Sequence, residues 1–177
     1  MTQDQLPGQR AGRGMMIAAW VIGLALLTWA FGLWEAHKEN PNRDPLSRSV
    51  NGVREVILER NSAGHYVVSG TINGEEAVFL LDTGATDVVV SQDLAERAGL
   101  SAGARQLAQT ANGRIEVRAT RLNRLELGSI ELRDVPASIN PAMGGRKVLL
   151  GMSALGQVEF SQQGGQLTLR YQGTNGQ

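Results

Sequence analysis

Asp82 is the residue of this sequence best placed to do chemistry. It heads Asp82-Thr83-Gly84-Ala85, a turn-forming tetrapeptide set between the apolar runs Val78 to Leu81 and Val88 to Val90. A carboxylate between strands that bury their side chains is costly to desolvate unless hydrogen bonds or a cation compensate, and no Lys or Arg occurs in the ten residues before it. A plain β-turn, with Asp82 bonding its own backbone and Gly84 supplying a positive φ, accounts for the Asp and the Gly but leaves the apolar flanks unexplained.

Other chemistries find few residues to work with. The 177 residues contain no cysteine, which removes thiol nucleophiles, disulfides and thiolate metal sites, and only His37 and His65 supply imidazole. Two histidines cannot build a three-histidine zinc site, and no His-Glu-x-x-His spacing occurs. There is no Gly-x-Ser-x-Gly, Lys147 is the one lysine that follows the amino-terminal forty residues, and Gly144-Gly145-Arg146-Lys147 lacks the spacing of a phosphate loop. Seventeen basic residues balance seventeen acidic ones without a long run of either sign, so no nucleic-acid partner is expected. His65 reads as a strand start, Asp87 as a strand-edge residue, and Arg114, Arg118, Arg121 and Arg124 as a solvated face.

The elements that must position Asp82 are mostly short strands. Val53 to Glu59, His65 to Ile72, Ala77 to Leu81 and Asp87 to Val90 fit β patterns, with Asn73-Gly74 as a hairpin turn. One helix is expected from Gln92 to Ala98, with Ser91 as its N-cap and Gly99 as its C-cap. Asn112-Gly113 marks a hairpin between Gln106 to Thr110 and Arg114 to Thr120, and Gly128-Ser129 another between Leu122 to Leu127 and Ile130 to Val135. Val148 to Leu150, Val158 to Phe160 and Leu167 to Tyr171 complete the series, with a short helix at Met152 to Leu155. Together with 22 glycines, this spacing predicts an all-β fold, a small barrel or sandwich with one or two short helices.

Met15 to Trp34 is a run of twenty uncharged residues, enough for a helix to cross a hydrocarbon core of roughly 30 Å. It predicts a single transmembrane anchor in contact with lipid. The alternative is a cleaved signal peptide, but those have apolar stretches of about 7–15 residues, and the best small-x-small site, Ala30-Phe31-Gly32, lies inside the run. Arg10 and Arg13 before it are nearly balanced by Lys38, Arg43 and Arg48 beyond it, and a cytoplasmic tail over residues 1–14 is expected because nothing in Met1 to Gly14 resembles an export signal of its own. Residues 35–49 are charged, contain Pro41 and Pro45 and lack apolar periodicity, which predicts a spacer, with the folded domain occupying residues 50–177.

Phe79-Leu80-Leu81-Asp82-Thr83-Gly84-Ala85 resembles the catalytic turn of the retropepsin-like aspartic proteases, apolar-apolar-Asp-Thr/Ser-Gly-Ala/Ser. A second element of that family, apolar-apolar-Gly near the C-terminus, is matched by Leu149-Leu150-Gly151 after Val148, 69 residues beyond Asp82. The resemblance runs from Val50 to about Tyr171 and, with the amino-terminal run, is to the bacterial, membrane-anchored, single-lobed branch. It implies a retropepsin-like fold and peptide-bond hydrolysis by Asp82, with Thr83, Gly84 and Ala85 supporting the turn and Ala111, Asn112 and Gly113 at a flap. It also implies a homodimer, since one Asp-Thr-Gly supplies half of a two-carboxylate site. An extended polypeptide would be the substrate, no metal or organic cofactor would be needed, and the domain would lie on the periplasmic side of a bacterial inner membrane. Leu167 to Tyr171 would contribute to the dimer interface or close the barrel of its own subunit. The sequence departs from viral members at Thr86 and Met152, where those often carry an Asp and an Arg that pair. A noncatalytic, membrane-tethered dimerisation or peptide-binding module on the same fold is the rival reading.

Overall fold

The computed structural model describes residues 7–110 and 113–173. The chain divides into two units, residues 1–38 and residues 39–177.

The first unit holds nearly all of helix α1 (Pro7–Glu39). Within it, Gly12 to Glu35 form a 24-residue apolar span, about 36 Å of helix. Its large apolar side chains, Trp20, Leu27 and Trp29 among them, are at least half exposed.

Among the described residues, the second unit is built from eleven strands and two short helices. Strands β3 (Val67–Ile72), β4 (Glu75–Leu81), β9 (Lys147–Leu150), β5 (Val88–Ser91), β8 (Ile130–Asn140) and β7 (Gly113–Leu127) lie side by side in that order. β3 also pairs with β7 through Thr71 with Glu126 and Ile72 with Leu125, closing the six strands into a ring. β6 (Arg105–Thr110) extends β7 outside this ring as a hairpin arm. The expected barrel is therefore present. Period-two burial explains its interior: Val68, Ile72, Ala77, Phe79, Val88, Val90, Leu122, Leu125 and Leu150 are all essentially inaccessible.

A second, four-stranded sheet lies in the order β1 (Leu46–Val50), β2 (Val53–Glu59), β11 (Gln166–Gln172), β10 (Glu159–Gln163). Val56, Leu58, Leu167 and Leu169 bury one of its faces. On the other, Arg170 Nε lies 2.8 Å from Glu55 Oε2 at directly opposed positions, and this hydrogen bond raises the guanidinium above its ordinary range.

Three expectations change. The spacer ends early: Asn40 and Asn42 are 7% and 3% exposed, and Leu46 to Val50 pair with β2, so the folded unit begins at Glu39 and not near Val50. Asn42 explains this without apolar residues. Its Nδ2 donates to the carbonyls of Glu59 (2.9 Å) and Val67 (2.7 Å), while its Oδ1 accepts from Glu59 N at 2.7 Å. An amide side chain thus takes the place of a piece of strand. Second, Arg114 to Thr120 and Leu122 to Leu127 are one strand of 15 residues, and its partner β8 runs on through Pro136 to Asn140. Third, Leu167 to Tyr171 lie inside β11, whose two edges are occupied by β2 and β10, so neither edge is open to pair with a strand of a second copy and the strand closes its own subunit's sheet.

Candidate active site

The Asp82 turn is made by strand geometry. β4 leads into it and β5 leads out, and β9 is inserted between the two, parallel to β4 (Leu81 beside Leu150) and antiparallel to β5 (Val89 beside Leu149). The two apolar runs on either side of the turn and the Leu149-Leu150-Gly151 motif are therefore three adjacent strands. Asp82 N donates to Leu150 O at 3.1 Å, and Leu81 N to Tyr66 O at 3.0 Å, so the backbone is pinned on both sides just before the carboxylate.

Within the turn, Gly84 N donates to Asp82 Oδ1 at 2.9 Å and Ala85 N to Asp82 O at 3.2 Å. These are the bonds of an Asx turn, and they fix the carboxylate through one oxygen. Among the described residues Asp82 Oδ2 and the Thr83 hydroxyl have no hydrogen-bond partner. Asp82 is half-buried and Thr83 and Gly84 are exposed, so the desolvation expected from the flanking strands is incomplete in a single chain.

Gly151 is the reason the motif needs glycine. A Cβ there would lie 2.2 Å from Asp87 O and 2.8 Å from Ala85 O, both backbone atoms of the loop after Asp82. Its lack of a side chain lets that loop rest directly on β9 and α3 (Met152–Leu155). Met152 N then donates to Ala85 O and Ser153 N to Thr86 O, both at 2.8 Å. Thr86 and Met152, the two departures from the viral pattern, are thus adjacent, and backbone bonds join the segments that an ion pair would otherwise link.

Ser153 was invisible as a site residue in the sequence. Its hydroxyl accepts from Val88 N at 2.9 Å and donates to Pro136 O at 2.8 Å, stitching β5, β8 and α3 together beneath the turn. A serine in the first turn of a helix that follows a glycine motif was the available signal. Ser91 does cap α2 (Gln92–Arg97) as expected, accepting from Leu94 N, although Ala98 and not Gly99 is its C-cap.

Of the flap residues, Ala111 and Asn112 lie outside the described residues. Thr110 pairs with Gly113, so β6 and the start of β7 form the hairpin expected there. Asp87, read as a strand-edge residue, contributes its carbonyl to the contact with Gly151. His65 lies just outside β3, exposed and closing a turn in which its N–H donates to Asn61 Oδ1. Arg114, Arg118, Arg121 and Arg124 are exposed on β7.

A family model described as "gag-polyprotein putative aspartyl protease" matches residues 68–157, just over half of the chain, and that span runs from β3 through the Asp82 turn to the end of α3. The chain belongs to this aspartic protease family. The crystal structure of a retropepsin-like aspartic protease from Rickettsia conorii is similar at a TM-score of 0.57, with 25% identity, covering 72% of this chain and 96% of that one. The fold of this family member is accordingly retropepsin-like. An uncharacterized protein in the cobV 5′ region of a Sinorhizobium species is 30% identical over 125 residues, 69% of this chain and 54% of that protein. The uncharacterized protein RP867 of Rickettsia prowazekii is 28% identical over 107 residues, 58% of this chain and 45% of that one. The chain spans about half the length of these curated relatives.

Proposed function

We propose that the protein is a membrane-anchored aspartic endopeptidase whose active unit is a homodimer. The observation that carries this reading is the Asp82 turn itself: a half-buried carboxylate held through Oδ1, with Oδ2 and the exposed Thr83 hydroxyl free of partners among the described residues, on a scaffold of interlocked strands. One such turn is half of a two-carboxylate site.

In the pair, the two Asp82 side chains share one proton, because like charges at contact distance do not both ionise. The ionised Asp82 accepts a proton from a water between them as the water oxygen attacks the scissile carbonyl carbon. The protonated Asp82 hydrogen-bonds the carbonyl oxygen and offsets its developing negative charge, and a proton returns to the leaving amine as the C–N bond breaks. Thr83 braces one turn against the other, and Gly84 lets the substrate backbone come close. The substrate is an extended polypeptide held between the β6–β7 hairpin, where Thr110 pairs with Gly113, and the floor around Asp82, so that alternate side chains are read on opposite faces.

The apolar span of α1 supports a single-pass anchor, with Arg10 and Arg13 retained on the cytoplasmic side and the protease domain in the periplasm of a bacterial cell. The three similar proteins named above come from Sinorhizobium and Rickettsia, in keeping with an inner-membrane location.

A peptide-library digest by the full chain in detergent, wild type beside Asp82→Asn, tests the chemistry. Internal cleavage by the wild type alone is the expected result. No cleavage, or equal cleavage by both, overturns the enzymatic reading in favour of a noncatalytic module.

A further inference from the structure

The early start of the second unit fixes how far Asp82 lies from the apolar span. That span ends at Glu35, and Glu39 both ends α1 and opens the second unit, so a single turn of helix, about 6 Å, separates the two. A free spacer over residues 35–49 would reach about 50 Å. Here its length is taken up inside the fold. Asn40 Nδ2 donates to Ser69 Oγ at 2.9 Å and Ser69 N to Asn42 O at 3.1 Å, which holds residues 40–42 along β3.

From Glu39 a short series of bonds leads to the Asp82 turn. Asn61 Nδ2 donates to the Glu39 carbonyl at 3.0 Å. Asn61 and His65 are joined twice, His65 N to Asn61 Oδ1 at 2.9 Å and Asn61 N to His65 O at 2.8 Å. Tyr66 comes next, buried, and its carbonyl accepts from Leu81 N, the residue before Asp82. Laid end to end with ordinary backbone dimensions, these links place Asp82 at most about 30 Å from Glu39. The topology explains the short path. β3 begins and β4 ends at one end of the barrel, and Asn42 Nδ2 donates to the carbonyl of Val67, the first residue of β3. The Asp82 turn therefore lies at the barrel end where the chain enters the domain.

We propose that the substrate is the extended juxtamembrane stretch of another membrane-anchored protein, cut within roughly the first dozen residues outside the bilayer. The proposal rests on the anchored-endopeptidase reading above and names its substrate class. In whatever direction the domain leaves α1, Asp82 stays within about 36 Å of the end of the apolar span, and an extended substrate rising from its own span covers that height in about eleven residues. Bonds beyond that height are out of reach of a site on so short a tether. Confinement to one membrane raises the effective concentration of enzyme and substrate for each other, a gain that a soluble polypeptide lacks. An unfolded stretch beside a membrane span also presents its backbone unpaired, the form in which an extended chain is read through alternate side chains. In the homodimer each copy carries its own anchor, so the same limit holds for both Asp82 turns.

The test sets one cleavage sequence at two heights. The full chain is reconstituted in vesicles with single-span reporters, in which a stiff proline-rich stalk holds a sequence selected by the peptide-library digest about 10 or about 40 residues from the span, roughly 30 or 120 Å out. The same two stalks without their spans are the soluble control, expected to be cut at equal rates. In the vesicles the near reporter is expected to be cut at least tenfold faster than the far one. A proline-rich insert of about 30 residues after Glu35 of the enzyme is expected to reverse that order. If the insert misfolds the chain, read as lost activity on the soluble stalks, the near-to-far ratio of the wild type decides alone. Two results overturn the juxtamembrane substrate and leave the endopeptidase standing. One is a wild type that cuts both soluble stalks and cuts the far reporter as fast as the near one; the other is an active insert variant that keeps the wild-type order. A wild type that cuts neither reporters nor soluble stalks overturns both readings.

Discussion

Two substitutions at the turn separate chemistry from architecture. Asn at position 82 keeps an oxygen to accept from Gly84 N, so Asp82→Asn should retain the fold to within about 0.5 kcal/mol while losing its general base, a loss of at least roughly 10²–10⁴-fold in kcat. Paired denaturation and peptidase measurements check this, and a variant that retains most activity would rule out the aspartic mechanism. Gly151→Ala should behave in the opposite way. Its added methyl meets two backbone carbonyls that can move only with the loop, so stability should fall by about 1–3 kcal/mol and activity with it, read as a lower thermal midpoint. Both residues were legible in the sequence because their signals are local, an Asp-Thr-Gly between apolar runs and an apolar-apolar-Gly. Ser153 was not, since its hydroxyl acts on Val88, 65 positions earlier, and nothing in its neighbourhood marks that partner.

At the scale of elements, the amino-terminal boundary of the domain carries the sharpest prediction. Asn42 holds the ends of β2 and β3 through three hydrogen bonds in a nearly inaccessible position, so Asn42→Ala strands buried backbone groups and should cost about 2–4 kcal/mol. A fragment starting at Glu39 should therefore unfold cooperatively in urea, and one starting at Val50, which lacks both Asn42 and β1, should have a much lower midpoint. Similar midpoints would return residues 39–49 to the status of a spacer. Most strands were legible from period two, and the Asn73-Gly74 hairpin from its turn residues. The Asn40 to Val50 segment was not: its charge and prolines are those of a linker, and its order comes from an amide side chain and from edge pairing, neither of which has a hydrophobic period. The 15-residue β7 was divided because its alternation slips near Arg121, where it runs on along β8 while β6 gives way to β3.

For the whole molecule, the homodimer reading couples activity to concentration. Specific activity of the full chain in detergent should fall on dilution in proportion to the dimer remaining, and co-expression with excess Asp82→Asn should suppress the wild type through mixed pairs. Activity per wild-type chain that stays flat in both experiments would require a monomeric enzyme. On the anchored reading, two tethered copies would share a thin layer, so the membrane-bound form should stay active at copy numbers where detergent-dispersed chains do not.

The interleaving of β2 with β11 also bears on how the protein is made. Val53 to Glu59 are among the earliest residues of the domain to be synthesised, and their partners, Gln166 to Gln172, are among the latest. Loop closure over such a separation is slow, and β2 has to wait for it with one edge unsatisfied. The nascent chain therefore has only part of its second sheet until nearly all of the domain has been made, and β10, which follows the active-site helix, has no hairpin partner until then. On the reading proposed above, an elongating chain would therefore lack a complete second sheet, and any peptidase activity would be acquired only after β11 has been made.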